Sequence, residues 1–181
     1  MLLTIPKEEF VERKRKFQIL LSENNIDCVI LFGVTDIFYL TGFHFTPTER
    51  PMGYMIDTSG KSHMFVPALE HEHTEMYADV DYVHSYPEYP GLRHPMEYLK
   101  DILIEHQFEG KKIGIDSDGY GSYMGYRGPR LSDLIKAKFV SVADWLENAR
   151  KIKSPNEIEL IKESLRWSHL ALRLLQDYTR P

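Results

Sequence analysis

Histidine and glutamate side chains, which can bind metal ions, are concentrated in the segment Glu70-His71-Glu72-His73 and at Glu75. Imidazole nitrogens and carboxylate oxygens are typical zinc ligands. The preceding Pro67-Ala68-Leu69 favours the start of a helix, and on a helix two residues two positions apart point about 200° from each other. His71 and His73 therefore cannot share one ion there, and we predict a solvated helix face. A small metal-binding protein that uses these two histidines remains an alternative.

A second group of reactive side chains lies between Tyr39 and Pro51, in one predicted loop. Aromatic rings, an imidazole and a guanidinium group occur there together. Loops of this kind on rigid scaffolds often carry recognition residues. The same composition is also typical of an aromatic-rich packing loop, in which Arg50 pairs with Glu49 or with solvent. The residues by themselves favour neither interpretation.

Four common catalytic or cofactor-binding patterns do not occur in the sequence. A strand-like Ile113-Gly114-Ile115 leads towards Gly119 and Gly121, but Gly125 comes one position too late for the G-x-G-x-x-G pattern of dinucleotide-binding loops. We predict a glycine turn there. The G-x-S-x-G, H-E-x-x-H and phosphate-loop patterns are also missing. We therefore predict that this chain contributes no catalytic residue, no metal ligand and no bound cofactor.

Charge and composition narrow the class of protein. The net charge of −5 argues against nucleic acid as a partner, and the basic run Arg13-Lys14-Arg15-Lys16 fits the solvated face of a helix. The single cysteine, Cys28, excludes an internal disulfide and a cysteine-based zinc site. No apolar run approaches the roughly 20 residues that span a bilayer, and the N-terminus does not resemble a signal peptide. We expect a cytoplasmic protein that binds neither nucleic acid nor membranes.

Helix and strand signals alternate along the chain. Apolar spacing predicts a helical turn at 36–40 and helices at about 7–24, 68–77, 95–106 and 129–137. Short apolar runs predict a hairpin of 54–57 with 63–66 and further strands at 28–32, 80–83, 113–115 and 139–140. Ser141 and Asp144 match a helix cap before a short helix that ends at 148. This order predicts an α/β fold, a mixed β-sheet with helices on both faces.

The strongest local signal is the start of the last predicted helix, 155–178. Ser154 and Glu157 have the S-x-x-E spacing of a capping box, and Pro155 occupies the first helical position, where proline is favoured. Apolar residues form two stripes along this helix, so we expect it to be covered on more than one side. We interpret it as the first helix of a further domain. Without that domain, we expect self-association through Leu160, Trp167, Leu172 or their neighbours.

Two segments together resemble one known family. Asp36-Ile37-Phe38-Tyr39-Leu40-Thr41-Gly42-Phe43 resembles the tyrosine–leucine–threonine–glycine–phenylalanine signature of the creatinase/prolidase N-terminal domain. Arg150-Lys151-Ile152-Lys153-Ser154-Pro155-Asn156-Glu157-Ile158 is similar to the linker that joins this domain to the catalytic half of Xaa-Pro peptidases in the pita-bread metallopeptidase clan. The resemblance implies a ribonuclease-H-like N-terminal domain at residues 1–150. Residues 151–181 are then the linker and the first helix of a catalytic domain.

For function, the resemblance implies that the catalytic centre lies outside this chain. In the family, a C-terminal domain holds two divalent metal ions, here expected to be Mn, Co or Zn, which activate a water for attack on an X-Pro amide. The N-terminal domain of relatives contributes to a homodimer and lends loops to the active-site mouth. By position in the matching loop, the candidates for substrate gating are Phe43, His44, Phe45 and Arg50.

Two alternatives stay open. The parent protein could act in a creatinase-like or a lyase reaction, because relatives with these activities use the same scaffold. The chain could also be a free-standing interaction module of the same descent, which binds a partner through helix 155–178. In each case we expect this chain to be inactive by itself.

Overall fold

A six-stranded β-sheet forms the centre of the computed structural model, which describes residues 3–87, 93–121 and 126–179. The strands are β1 (Cys28–Leu31), β2 (Gly53–Asp57), β3 (Ser62–Pro67), β4 (Tyr82–Tyr86), β5 (Lys112–Ile115) and β6 (Lys138–Ser141). Their order across the sheet is β4-β3-β2-β1-β5-β6. Among these strands, β2 alone runs antiparallel to both of its neighbours, and the remaining pairs are parallel. The predicted mixed sheet and its central hairpin are confirmed.

Helices cover both faces of this sheet. The described residues form α1 (Lys7–Glu23), α2 (Val34–Thr41), α3 (His71–Tyr77), α4 (Pro95–Glu105), α5 (Leu131–Leu134), α6 (Ala143–Lys151) and α7 (Pro155–Tyr178), with a 3-10 turn at Ala68–Glu70. One hydrophobic cluster joins α1, α2 and α6 to the sheet. A second cluster joins α4 and α5 to the opposite face. The predicted α/β fold with helices on both faces is therefore confirmed.

The central strand β1 shows why this arrangement forms. All four of its residues are buried. Val29 and Leu31 contribute to the cluster under α1, α2 and α6, whereas Cys28 and Ile30 contribute to the cluster under α4 and α5. Strand side chains alternate between faces, so a continuous apolar run requires cover on both sides. Burial also raises the pKa of the Cys28 thiol, which keeps this residue an unreactive part of the core.

Several element ends differ from the predictions. The strand predicted at 80–83 lies at Tyr82–Tyr86, and the helix predicted at 129–137 is limited to Leu131–Leu134. The turn predicted at 36–40 is a complete helix, Val34–Thr41. The cap predicted at Ser141 is wrong, because Ser141 pairs with β5 as the last residue of β6. Val142 then precedes α6 without a side-chain cap hydrogen bond, so sheet pairing has overridden the local signal.

The long helix α7 is present with the predicted ends and the predicted cap. Ser154 Oγ accepts a hydrogen bond from the Glu157 N–H at 3.1 Å, and Glu157 Oε2 accepts one from the Ser154 N–H at 2.7 Å. The structure describes every residue of Pro155–Tyr178, and none of them is buried. Across the described ranges of the chain, α7 included, no helix combines the length and the apolar character needed to cross a membrane.

Candidate functional site

The loop that carries the candidate gating residues starts where α2 ends. Gly42 has a left-handed backbone with a φ of 73°, and a Cβ atom there would lie 2.9 Å from the Phe10 ring. Because glycine has no Cβ atom, it tolerates both the left-handed backbone and the close approach of the Phe10 ring. Beside it, the Thr41 hydroxyl donates to Ile37 O at 2.7 Å and accepts from the Phe43 N–H at 3.1 Å. The threonine, glycine and phenylalanine of the signature thus direct the chain out of α2 and into the loop.

The four candidate gating residues divide into two buried and two accessible side chains. Phe43 and Phe45 are 1% and 5% exposed, and their stacked rings have centroids 5.9 Å apart. His44 is exposed, with its ring edge-on to Phe38 at 5.9 Å. Arg50 is partly exposed, and its Nε lies 3.9 Å from a carboxylate oxygen of Glu49. The packing interpretation therefore applies to the two phenylalanines, whereas a ligand can reach His44 and Arg50.

A groove with a volume of about 610 Å³ lies beside the start of this loop. Its walls come from the start of α1, the end of α2, the end of α3 and Leu160 on α7. The exposed apolar side chains along it are Leu3, Phe38, Met76 and Tyr77. Charged side chains such as Lys7 and Asp79 also line it, so the groove is only partly apolar. Grooves that combine apolar and polar walls are suited to ligand binding or to a contact between domains. Its position places any such contact next to the loop.

Arg13 connects the body of the domain to the first turn of α7. Its guanidinium donates to Tyr39 O at 2.8 Å and lies over the Tyr39 ring at 4.1 Å. The same group pairs with Glu9 at 2.5 Å and with Glu157 of the capping box at 3.2 Å. Because its side chain is only 8% exposed, the prediction of a solvated basic face is wrong for Arg13. The Lys14 side chain is also mostly buried, and it pairs with Asp79 at 2.7 Å.

Glu9 strengthens the same connection to α7. Besides its ion pair with Arg13, its Oε2 accepts a hydrogen bond from Asn156 Nδ2 at 2.8 Å. Burial alone would raise the pKa of Glu9, but hydrogen bonds from Asn156, Ser154 and Arg13 outweigh burial and lower that pKa. The carboxylate is therefore ionised at neutral pH. The Arg13 guanidinium thus links Glu9 on α1 to Glu157 in the first turn of α7.

A second ion pair joins the end of α6 to the start of α2, the helix that follows β1. Arg150 pairs with Asp36 on α2. Nearby, Asp116 follows β5 and accepts hydrogen bonds from the Phe32 and Gly33 N–H groups at 3.0 and 2.6 Å. Burial raises the pKa of Asp116, although these backbone hydrogen bonds act in the opposite direction. Ligands often bind at the carboxyl ends of the strands in an α/β sheet, but here the carboxylate satisfies backbone donors and serves the fold.

The helix predicted for His71 and His73 is confirmed, and the two imidazoles contact different carboxylates. His73 Nδ1 lies 2.9 Å from Glu70 Oε2, and His71 Nε2 lies 3.4 Å from Glu75 Oε1. Each histidine is thus paired along the helix surface. The arrangement agrees with the prediction of a solvated helix face.

Three other histidines, which the sequence patterns above do not single out, come together at one edge of the sheet. His63 lies on β3, His84 on the neighbouring edge strand β4, and His106 directly after α4. One ring nitrogen from each lies within 4.8 Å of the other two. His63 Nδ1 and His84 Nε2 are 3.0 Å apart, and the His106 ring centroid is 4.6 Å from that of His63.

Burial makes the two strand histidines weak bases. Burial, aided by His106 and His84, lowers the pKa of His63 to about 4. Burial and the nearby His106 also lower the pKa of His84. His63 is therefore a neutral imidazole at pH 7, with one unprotonated nitrogen. His106 is exposed, so solvent and small ions can reach the cluster.

Strand periodicity carries part of the signal for this cluster. His63 and His84 each precede by two positions an aromatic residue, Phe65 or Tyr86, that is buried in the cluster under α4. Residues two apart in a strand share a face, so the sequence allows both imidazoles to face α4. The pairing of β3 with β4 and the position of His106 come from the tertiary structure. The sequence patterns therefore do not predict the cluster.

The chain matches one protein family and several known proteins. The family model described as the creatinase/prolidase N-terminal domain matches residues 13–152. The uncharacterized hydrolase/peptidase y4tL of Sinorhizobium fredii is 24% identical over 187 residues, a match that covers 97% of this chain and 46% of that protein. The ectoine hydrolase of Halomonas elongata is 23% identical over 169 residues, covering 88% of this chain and 42% of that protein. The chain spans less than half the length of these curated relatives.

Among solved structures, an Xaa-Pro dipeptidase from Bacillus anthracis superposes with a TM-score of 0.72 at 18% sequence identity. The match covers 95% of this chain and 44% of that one. At this identity the likeness shows a shared fold. It includes the mixed sheet and extends over most of the chain.

Proposed function

The chain belongs to the creatinase/prolidase N-terminal domain family, and we propose that it is the non-catalytic N-terminal domain of an Xaa-Pro dipeptidase-like or aminopeptidase-like metallohydrolase. Residues 1–150 form this domain, and residues 151–181 are the linker and the first helix of a C-terminal catalytic domain. That second domain would hold two divalent metal ions (Mn, Co or Zn) and the peptide with its X-Pro bond. We expect the full-length protein to be a cytoplasmic enzyme.

The single observation that carries this proposal is the state of α7. The helix is capped at its N-terminus, and Arg13 and Glu9 anchor its first turn through Glu157 and Asn156. Beyond that turn it presents apolar side chains to solvent, with Trp167 64% exposed and Leu172 59% exposed. A helix with two apolar stripes is stable when neighbouring elements cover it. A catalytic domain that begins with α7 would supply this cover.

A gating role for the loop after Gly42 rests on accessibility and position. His44 and Arg50 offer hydrogen-bonding and charged groups at the surface, while the buried Phe43 and Phe45 hold the loop against the core. The groove beside the loop reaches Leu160 on α7. We therefore propose that His44 and Arg50 contact substrate at the active-site mouth, and that the two phenylalanines act by positioning the loop.

The function is tested by comparing this 181-residue chain with the full product of its gene. We expect the purified chain to show no hydrolysis of an Xaa-Pro dipeptide with added Mn²⁺, and the full product to hydrolyse it. An Xaa-Ala dipeptide and a sample treated with a chelator are the controls. Turnover by the 181-residue chain would contradict the proposed division of labour, and absence of turnover by a metal-loaded full product would contradict the peptidase assignment.

A second candidate is a parent enzyme of the same family that acts on a small non-peptide molecule. The observation that favours it is the match to an ectoine hydrolase over 88% of this chain. Creatinase-like and lyase reactions belong to the same alternative. Including ectoine and creatine in the assay separates these activities from peptidase activity. If the full gene product ends near Pro181, the interaction-module hypothesis is favoured instead.

Homodimer formation is also part of the proposal, and the exposed face of α7 predicts association of this chain with itself. We expect the apparent mass from light scattering to rise with protein concentration, because association would bury side chains such as Leu172. Replacement Leu172→Glu should shift the mass towards that of the monomer. Gln176→Glu, which adds the same charge at a polar position of α7, is the control. A strict monomer at high concentration would contradict this prediction.

A further inference from the structure

The cluster of His63, His84 and His106 lies away from the loop and groove described above and has no part in the proposed gating. Its members come from three different elements, so no helix or strand repeat accounts for their meeting. The rings of His63 and His84 are nearly parallel, with an interplanar angle of 18° and centroids 5.2 Å apart. The His106 ring approaches at 70° to His63 and at 81° to His84. The His106 imidazole therefore approaches the other two rings edge-on.

The spacing of the ring nitrogens is close to that of a zinc site. With Zn–N distances of about 2.0–2.1 Å, two nitrogens of a tetrahedral site are roughly 3.4 Å apart. The nitrogens of His63 and His84 are 3.0 Å apart, and those of all three residues lie within 4.8 Å. Ligation therefore requires the hydrogen-bonded pair of His63 and His84 to open slightly, and the more distant nitrogen to approach from as much as 4.8 Å to roughly 3.4 Å. His106 is exposed at the end of α4 and can adjust.

Carboxylates and aromatic rings surround the cluster. Burial lowers the pKa of His63 and of His84, and the carboxylates of Asp57 and Asp81 near His63 and of Glu105 near His84 act in the opposite direction. Aromatic rings support two of the imidazoles, because Tyr82 stacks on His63 at 4.9 Å and Phe108 stacks on His106 at 6.2 Å. Lys61, whose Nζ lies 5.9 Å from the centre of the Tyr82 ring, pairs with Asp81 at 3.7 Å.

We propose that His63, His84 and His106 bind one divalent cation of intermediate softness, for which Zn²⁺ is the probe, with a water molecule as fourth ligand. Imidazole ligands suit Zn²⁺, Cu²⁺ and Ni²⁺ better than Mg²⁺ or Ca²⁺. Such an ion would fasten the edge strand β4 to β3 and to the end of α4. This site lies within the N-terminal domain and is separate from the two catalytic ions expected in the C-terminal domain.

The test is calorimetric titration of the untagged 181-residue chain with Zn²⁺, with thermal unfolding measured alongside. We expect one ion per chain and a rise in the melting temperature. His106→Ala and His84→Gln should each weaken binding at least tenfold, since even second-shell changes reach that size. The matched control is the double variant His71→Gln/His73→Gln, which removes the partly exposed His71 and the exposed His73 from α3 and should bind as the unmodified chain does. Co²⁺ substitution should give the visible absorption of a tetrahedral complex, and His106→Ala should abolish it.

Three outcomes would overturn the proposal. They are absence of saturable one-to-one binding, unchanged affinity in both His84→Gln and His106→Ala, and loss of binding in the α3 control. Circular dichroism checks that each variant is folded. If His84→Gln does not fold, His106→Ala decides the result, because His106 is exposed and its ring is not part of a hydrophobic cluster.

Discussion

Replacing Arg13 with alanine is expected to lower the free energy of unfolding by about 3 kcal/mol. The substitution removes the shared partner of Glu9 and Glu157, whose side chains are only 16% and 20% exposed. It also removes the hydrogen bond to Tyr39 O and the cation–π contact with the Tyr39 ring. Two poorly hydrated carboxylates then face each other without a compensating charge. Urea unfolding followed by circular dichroism measures the change.

Arg15→Ala provides a matched control on the same helix. Arg15 also pairs with a glutamate, Glu12, but the two side chains are 57% and 44% exposed. Solvent screens such pairs, so this variant should change stability far less than Arg13→Ala does. Equal effects of the two substitutions would show that Arg13 acts as an ordinary surface residue. That result would also remove the argument that Arg13 anchors α7.

Phe43→Ala is expected to destabilise the protein by about 3–5 kcal/mol, the usual range for a buried phenylalanine in a core. Its side chain is 1% exposed and belongs to the cluster that packs α1, α2 and α6 on the sheet. The adjacent His44→Ala is the control, because His44 is exposed and should change stability by about 0.5 kcal/mol or less. Urea unfolding of both variants measures the contrast between neighbours.

The same pair of variants separates gating from packing in the full gene product. If His44 contacts substrate, His44→Ala should raise KM while the unfolding midpoint stays unchanged. Phe43→Ala should chiefly reduce the amount of folded enzyme, and at a temperature where the variant is folded its KM should rise less than that of His44→Ala, because Phe43 only positions the loop. An unchanged KM in His44→Ala would remove this residue from the gating proposal. A stability loss below about 1 kcal/mol in Phe43→Ala would contradict its place in the core.

Structural features that depend on a few neighbouring residues were predicted correctly. The Ser154–Glu157 cap forms as expected because both of its hydrogen bonds close within one helical turn. The hairpin of β2 with β3 also forms, since its turn at 58–61 joins two adjacent apolar strands. Residues 41–43 of the signature use local hydrogen bonds and a glycine conformation to end α2. Such interactions depend little on the rest of the fold.

Predictions failed or were incomplete where contacts with a distant segment of the chain determine the burial or the pairing of a residue. Arg13 looks like one member of a basic helical run, yet Tyr39 and Glu157 bury it. Ser141 has the spacing of a helix cap, but pairing with β5 places it in a strand. Phe43 and Phe45 share a loop with His44, and only packing against the core distinguishes them from it. In each case the partner lies far along the sequence.

The sequence by itself determined the order of helices and strands, the two-sided sheet, the capped α7 and the family to which the chain belongs. These properties follow from periodicity and capping, which act over a few residues. The tertiary structure alone decided which charges are buried at the start of α7, which loop residues stay accessible, and that His63, His84 and His106 meet. Pairing of β3 with β4 and packing of α4 bring these histidines together. Contacts between distant segments produce no fixed residue spacing in the sequence, because the length and composition of the chain between them can vary while the pairing remains.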